Sequence, residues 1–304
     1  MSFSYDAKKE MIGSVNKPCC AFAQSYGFLL FGRSFGYGGV SLMTDKKEIA
    51  DAYADAVRLA AGLEPSVSCS DAGRYTVCLP DANDRRTLLR AFGYEGNELS
   101  VRLNHANLRD DCCRAAFIRG AFLACGSVTD PQKEYHLELS VSSMRLTGDF
   151  IKLFDAYDGS DPELGFSLIP NRSQRSGMNV IYFNDSTSVE DFLSLVGAQN
   201  ASMTVMNTKM LKEHRNNVNR RLNFETANIG RSSFASEPQI KAIEKIRRKG
   251  GMDALPPDLR RLAEIRADEP ALSLRELGEM MDPPLSRTAV NYRLKKIIRF
   301  AESL

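Results

Sequence analysis

CCRAAFIRGAFLACG, residues 112–126, and CCAFAQSYGFLLFG, residues 19–32, are two versions of one apolar helix. Ala23 and Gly27 in the first, and Ala116, Gly120 and Ala124 in the second, recur every four residues. That spacing lines small residues along one helix face, where two backbones can approach closely. The segments therefore read as twins that pack on each other. Their charge pattern is equally telling, because no Asp or Glu occurs between Glu10 and Asp45 or between Asp111 and Asp130.

The chain downstream of each twin repeats as well. After the first come a short strand (Val40 to Met43), a helix (Asp45 to Leu63), strands near Ser66 to Cys69 and Tyr75 to Leu79, and a helix (Asp84 to Phe92). After the second come YHLELSV, whose apolar residues alternate as in a half-buried strand, and a helix (Met144 to Tyr157). A hairpin with strands Phe166 to Ile169 and Val180 to Phe183 around a loop PNRSQRSG, and a helix (Val189 to Leu195), complete the copy. Gly27 and Gly120 lie 93 residues apart, so the period is that of a duplicated α+β domain and not of a short solenoid repeat. The expected division is residues 1–105 and 106–208 for the repeats, a basic Asn- and Arg-rich connector or exposed helix over 209–235, and a helical domain over 236–304.

The last fifty or so residues carry the sharpest local pattern. Pro256-Pro257 starts a helix to Asp268, Ser273 to Glu276 forms a capping box for a short helix, Asp282-Pro283-Pro284 turns the chain, and Ser286 caps a third helix. Val290, Leu294, Ile297, Ile298 and Ala301 form its apolar stripe, and five basic residues with no acid fall between Ser286 and Ala301. This order describes a helix-turn-helix over about residues 272–301, whose last helix enters the major groove of DNA. Arg287 and Thr288 then stand where base edges are read, Lys295, Lys296 and Arg299 where phosphates are gripped, and Ser286, Asn291, Tyr292 and Arg293 complete the expected contact set. A second patch, Asn217, Asn219, Arg220 and Arg221, reads equally well as a phosphate or protein contact and as bracing between domains.

Charge agrees with a polyanion partner at the C-terminal end. Residues 209–304 hold 20 Lys and Arg against 13 Asp and Glu, an excess of seven, so residues 1–208 carry −5 of the chain's net +2. No apolar run reaches membrane-spanning length, since Arg119 interrupts the best candidate, and MSFSYDAKKEM lacks a signal core; a cytoplasmic protein is expected. Seven cysteines without a C-x-x-C, two pairs of them adjacent, suit neither a disulfide framework nor a zinc site and read as buried reduced thiols; no metal and no cofactor are expected.

The twin helices resemble the LAGLIDADG motif of homing endonucleases, with Gly120 to Gly126 aligning on its last seven positions. The resemblance implies two saddle-shaped sheets astride DNA and a metal-binding acid at the end of each motif. Those acid positions are here Leu123 and Cys125 in the second copy and about Leu30 and Gly32 in the first, a register fixed to within one residue. Lost cleavage chemistry is implied, because holding a divalent cation for phosphodiester hydrolysis needs carboxylates. A degenerate tandem LAGLIDADG domain ahead of a helix-turn-helix closely resembles the WhiA family, most specifically at residues 112–131 and 195–233 and in the helix-turn-helix. That likeness implies a non-enzymatic, nucleoid-associated transcription regulator of bacterial cell division, chromosome segregation and sporulation, whose partners are double-stranded DNA and other division or transcription proteins. Two alternatives stand beside it: a metal-dependent endonuclease drawing on Asp130 or Asp149, and an N-terminal protein- or ligand-binding module with DNA affinity confined to the tail. Gly27 and Tyr26 in the first motif and Gly278 in the tail are expected to weaken local structure, Gly278 by ~1 kcal/mol relative to Ala.

Overall fold

The twin segments form helices α2 (Pro18–Leu30) and α5 (Asp111–Cys125), and their glycines meet. In the computed structural model, which describes residues 2–13, 17–96, 100–157, 159, 165, 167–249 and 251–304, without the side chains of 225 and 227–235, the two backbones touch at this crossing. A Cβ on Gly27 would overlap the Phe117 carbonyl oxygen and lie 3.1 Å from the Ala121 nitrogen. One on Gly120 would overlap the Gln24 carbonyl oxygen and lie 2.7 Å from the Phe28 nitrogen. Phe117 and Gln24, like Ala121 and Phe28, are 93 residues apart, the same interval as the glycines. The contact is thus two-fold symmetric, and it equates residue 32 with residue 125.

The chain folds as two compact units, residues 1–211 and 212–304. In the first, α1 (Phe3–Ile12) precedes the duplication. The first repeat is α2, β1 (Ser34–Gly36), β2 (Gly39–Thr44), α3 (Lys47–Ala61), β3 (Ser66–Cys69), β4 (Tyr75–Cys78) and α4 (Ala82–Ala91). The second is α5, β5 (Gly126–Val128), β6 (Leu137–Val141), α6 (Met144–Ile151), β7 (Asn171–Arg175), β8 (Met178–Phe183) and α7 (Ser186–Leu195). Each repeat makes a four-stranded antiparallel sheet, in the orders β1-β2-β4-β3 and β5-β6-β8-β7. The short strands β1 and β5 directly after the twin helices have too few residues to show a period of two, which is why the sequence pattern misses them.

The hairpin corrects the sequence reading. Asn171 to Arg175, expected as loop, is strand β7, and the turn is only Ser176-Gly177, with φ of 49° and 79°. Two consecutive residues at positive φ mark a two-residue hairpin turn of type I′. NRSQR shows no apolar alternation because β7 is an edge strand exposed along most of its length. Phe166, in the strand expected at 166–169, lies outside the described residues.

Tyr26 anchors the first repeat instead of weakening it. Its ring is fully buried between Phe92 and Phe117, at centroid distances of 4.8 and 5.2 Å. Its hydroxyl accepts from the Asn104 N–H (2.7 Å) and donates to the Tyr94 hydroxyl (2.6 Å), which donates in turn to the Arg102 carbonyl (2.6 Å). With both roles of the hydroxyl filled, its hydrogen bonds offset the cost of burying it, and they tie the segment between repeats to α2. Arg119, the charge inside α5, donates to the Val196 carbonyl (2.6 Å) and to Gln24 Oε1 (3.2 Å), so it joins α5 to both α2 and the end of α7.

Helix α8 runs from Gln199 to Lys249, so the expected connector is helical throughout. In the first unit its opening N–H groups at Asn200 and Ala201 are accepted by the Glu10 carboxylate (2.8 and 3.1 Å), an acid placed at the positive end of a helix. In the second unit α9 (Pro257–Asp268), α10 (Leu274–Glu279) and α11 (Arg287–Ser303) surround a core of Ile243, Ile246, Leu259, Leu262, Leu277, Val290, Leu294 and Ile297.

Candidate nucleic-acid interface

The turn of the second unit is built by three local devices. Ser273 and Glu276 cap α10 reciprocally, Ser273 N donating to Glu276 Oε2 (2.7 Å) and Glu276 N to Ser273 Oγ (3.3 Å). The buried Arg266 guanidinium donates to the Pro270 (3.2 Å) and Leu272 (2.7 Å) carbonyls, satisfying the loop between α9 and α10. Gly278 corrects the sequence reading: a Cβ there would overlap the Leu285 carbonyl oxygen, and Leu285 N donates to the Gly278 carbonyl (2.9 Å). The glycine lets the turn close on α10, which outweighs its intrinsic cost in a helix.

Ser286 Oγ accepts from Ala289 N (3.2 Å) and opens α11. Val290, Leu294, Ile297 and Ala301 are buried beneath it. Arg287, Thr288, Tyr292, Lys295, Lys296 and Arg299 are exposed, and with the half-buried Asn291 they occupy one helix face by their spacing. Lys296 Nζ sits 4.8 Å from the Tyr292 ring centroid, holding its charge over that face. Arg293 lies on the flank, half-buried, with its guanidinium 3.8 Å from Asp258 of α9. Six of the nine expected contact residues are thus exposed on this face; Arg293 does not share it, and Ser286 serves as cap. The four residues of the second patch, Asn217, Asn219, Arg220 and Arg221, are exposed along α8. By their spacing Asn217, Arg220 and Arg221 share one helix face, one turn apart, while Asn219 lies on the opposite side.

The C-terminal end of the α2–α5 pair is where the LAGLIDADG acids would stand. Leu123 is buried, and the Cys125 thiol donates to the Ala121 carbonyl (3.4 Å), its pKa pushed up to about 12 by burial. The Lys8 ammonium donates to the Leu123 carbonyl (3.1 Å) and lies 5.7 Å from the Phe122 ring centroid. A cation there compensates the negative end of α5. Neither acid of the nuclease alternative stands at this place. Asp149 is buried and paired with Arg102, whose Nε donates to it at 3.0 Å, and that guanidinium holds its carboxyl below the usual carboxylate range. Asp130 is exposed and accepts from Gln132 N (2.9 Å) in its own turn.

Burial lowers the Lys8 pKa from 10.5 to about 8, with Cys125 and Asp45 opposing the shift. Between those values the unfolded chain holds the proton that the folded chain has released, so unfolding free energy rises with pH across the window. Denaturant titrations from pH 7.5 to 10.5 should therefore show a stability slope that Lys8→Met removes; an unchanged slope in the variant would place the ammonium in water.

Around Lys8 lies a cavity of about 770 Å³ whose lining includes Arg33, Lys46, Arg74 and Asp45. Asp45 is paired with Lys46 at 3.0 Å. Four cations against one acid make a local positive concentration that the net charge of −5 for this part of the chain conceals. Sequence reading missed it because the four come from α1, the ends of α2 and β2, and the β3–β4 turn.

The fold brings two separate cysteine pairs together. Cys19, Cys20, Cys112 and Cys113 place their sulfur atoms within 4.8 Å of one another. Cys19 and Cys112 are exposed, Cys20 is half-buried and only Cys113 is buried, so the expectation of buried thiols holds for Cys113 and fails for the other three.

A profile of the WhiA LAGLIDADG-like domain matches residues 114–215, and one of the WhiA C-terminal HTH domain matches residues 218–301. The chain is 33% identical to the probable cell division protein WhiA of Carboxydothermus hydrogenoformans, with 100% of this chain and 98% of that protein covered. The chain belongs to the WhiA family. Its counterpart in Clostridium beijerinckii is 37% identical over 68% of this chain and 62% of that one. The crystal structure of full-length DUF199/WhiA from Thermotoga maritima, at 22% identity, has the same fold, with a TM-score of 0.60 over 100% of this chain and 99% of the other. Among the described residues, no helix of this WhiA-family chain is long and apolar enough to cross a membrane.

Proposed function

We propose that this chain is a non-enzymatic, sequence-specific DNA-binding regulator that works on the nucleoid in bacterial cell division, and through it in chromosome segregation and sporulation. The observation that carries the reading is the exposed basic face of α11, free of acids from Arg287 as far as Ala301 and set on a buried apolar stripe behind a capped turn. Arg287 and Thr288, in the first turn of the helix, suit base edges, and Lys295, Lys296 and Arg299 suit phosphates. Relatives named as probable cell division proteins support the biological setting. The four cations around the cavity at Lys8 favour an additional phosphate contact by the first unit over a purely protein-binding role.

The absence of cleavage is part of the proposal. Leu30, Gly32, Leu123 and Cys125 stand at the ends of the twin helices, and a lysine ammonium covers the last turn of α5. Apolar side chains, a thiol and a glycine cannot assemble the carboxylate cradle that a divalent cation needs between two DNA strands. Incubation with supercoiled plasmid and Mg²⁺ or Mn²⁺ should retard the plasmid in a gel without nicking it. Nicking that is abolished by replacing Asp130 or Asp149 would revive the endonuclease alternative.

A further inference from the structure

Four thiols from the two repeats converge, and we propose that Cys19, Cys20, Cys112 and Cys113 bind one Zn²⁺ ion that staples the repeats together. Each pair occupies the second and third residues of its helix, since α2 begins at Pro18 and α5 at Asp111. Cys112 and Cys113 follow Cys19 and Cys20 by 93 residues, the interval that relates Gly27 to Gly120, so the four sulfur atoms obey the same two-fold symmetry as the helix crossing. The parallel run of the helices away from this point explains the convergence: one crossing, near the glycines, leaves both N-termini on the same side.

The distances suit a single ion. A tetrahedral site with Zn–S of about 2.3 Å separates its sulfur atoms by about 3.8 Å. Here Cys19 Sγ and Cys20 Sγ are 4.0 Å apart, and no pair among the four exceeds 4.8 Å. Closing onto zinc therefore asks for side-chain adjustments of about 1 Å or less per pair, whereas disulfides would have to draw each joined pair of sulfurs in to about 2.05 Å. Four soft thiolates in tetrahedral array favour Zn²⁺ over hard cations. Coordination exchanges four thiol protons for one divalent cation, giving a cluster of net charge −2. Both helix N-termini point their positive ends at it, and Arg109 lines the adjacent cavity of about 280 Å³ beside Cys19 and Cys113.

Such a site is structural. It lies at the N-terminal ends of α2 and α5, opposite the ends that carry the lost acid positions, and all four ligand places are filled by protein, leaving none open for a substrate. Its position tests the reading independently of DNA binding, since metal content can be read on the full chain alone. Protein purified under reducing conditions without chelator should hold about one zinc per chain, released in step with titration of four thiols by a mercurial reagent. Metal-free protein given Co²⁺ should develop the intense thiolate-to-cobalt absorption of a tetrahedral sulfur site. The Cys112→Ser, Cys113→Ser double variant should lose the zinc and the Cys69→Ser, Cys78→Ser variant should keep it. Because the first variant could fold poorly, the single Cys19→Ser change at an exposed position is the companion, expected to release zinc to a competing chelator at least tenfold more readily at unchanged circular dichroism. Wild-type protein that takes up no stoichiometric Zn²⁺ or Co²⁺ with all thiols reduced, or that carries an iron–sulfur chromophore or disulfides among these residues in place of zinc, would overturn the proposal.

Discussion

Replacing Gly120 by alanine is expected to destabilise the first unit by about 1–3 kcal/mol, and replacing both Gly120 and Gly27 to prevent its stable folding. The added methyl of Gly120→Ala meets the backbone of α2 at the Gln24 carbonyl and the Phe28 nitrogen, not a side chain that could swing aside. Relief requires the helices to separate, and separation opens gaps along a core in which Ala23, Ala116, Phe117 and Ala121 are essentially inaccessible. Gly148 in α6 is the control, because a Cβ there meets nothing within 4 Å and alanine favours the helix. Gly148→Ala should raise stability by about 0.5–1 kcal/mol, opposite in sign. Denaturant midpoints for the two variants decide the matter, and equal shifts would mean that α2 and α5 do not touch at Gly120.

That contact shows how much of the fold is legible in residues alone. Small residues at a spacing of four announce a close helix pair because the requirement is steric and local, and the interval of 93 residues announces the duplication. The capping box at Ser273 and the stripe under α11 are legible for the same reason, since each is set within one or two helical turns. What stayed hidden depends on chain segments far apart. The four cysteines form a cluster only after the twin helices align, and no spacing within either pair signals a ligand set. The cations around Lys8 come from four elements, and their sum is masked by acids elsewhere on the same unit. The role of Gly278 is not legible in its own helix, because its partner, the Leu285 carbonyl, approaches only once the turn has closed. Strand β7 gives no strand signal in its residues, because an exposed edge strand needs no apolar alternation.

The second large effect concerns DNA. Lys295→Ala, Lys296→Ala and Arg299→Ala combined should lower the slope of log affinity against log salt by about three and abolish retention of duplex at moderate salt, for specific and random sequences alike. All three side chains are exposed, while Val290, Leu294 and Ile297 beneath them stay as they are, so the thermal transition of the second unit should hardly move. A variant that keeps the parental salt slope would show that α11 presents this face to something other than phosphate. Retained weak binding with a reduced slope would instead give the cations near Lys8 a share of the contact.

The claim that α11 reads sequence is tested most directly by comparing Arg287→Ala with Lys295→Ala in the full chain. Each would be titrated at several salt concentrations against the duplex recovered by chromosome-wide binding maps and against a random duplex of equal length. Arg287→Ala should cost ~1–3 kcal/mol on the recovered site, with little change on the random one. Lys295→Ala should weaken both and lower both salt slopes by about one. Equal losses on the two duplexes for Arg287→Ala, with its salt slope reduced like that of Lys295→Ala, would contradict sequence readout by this helix.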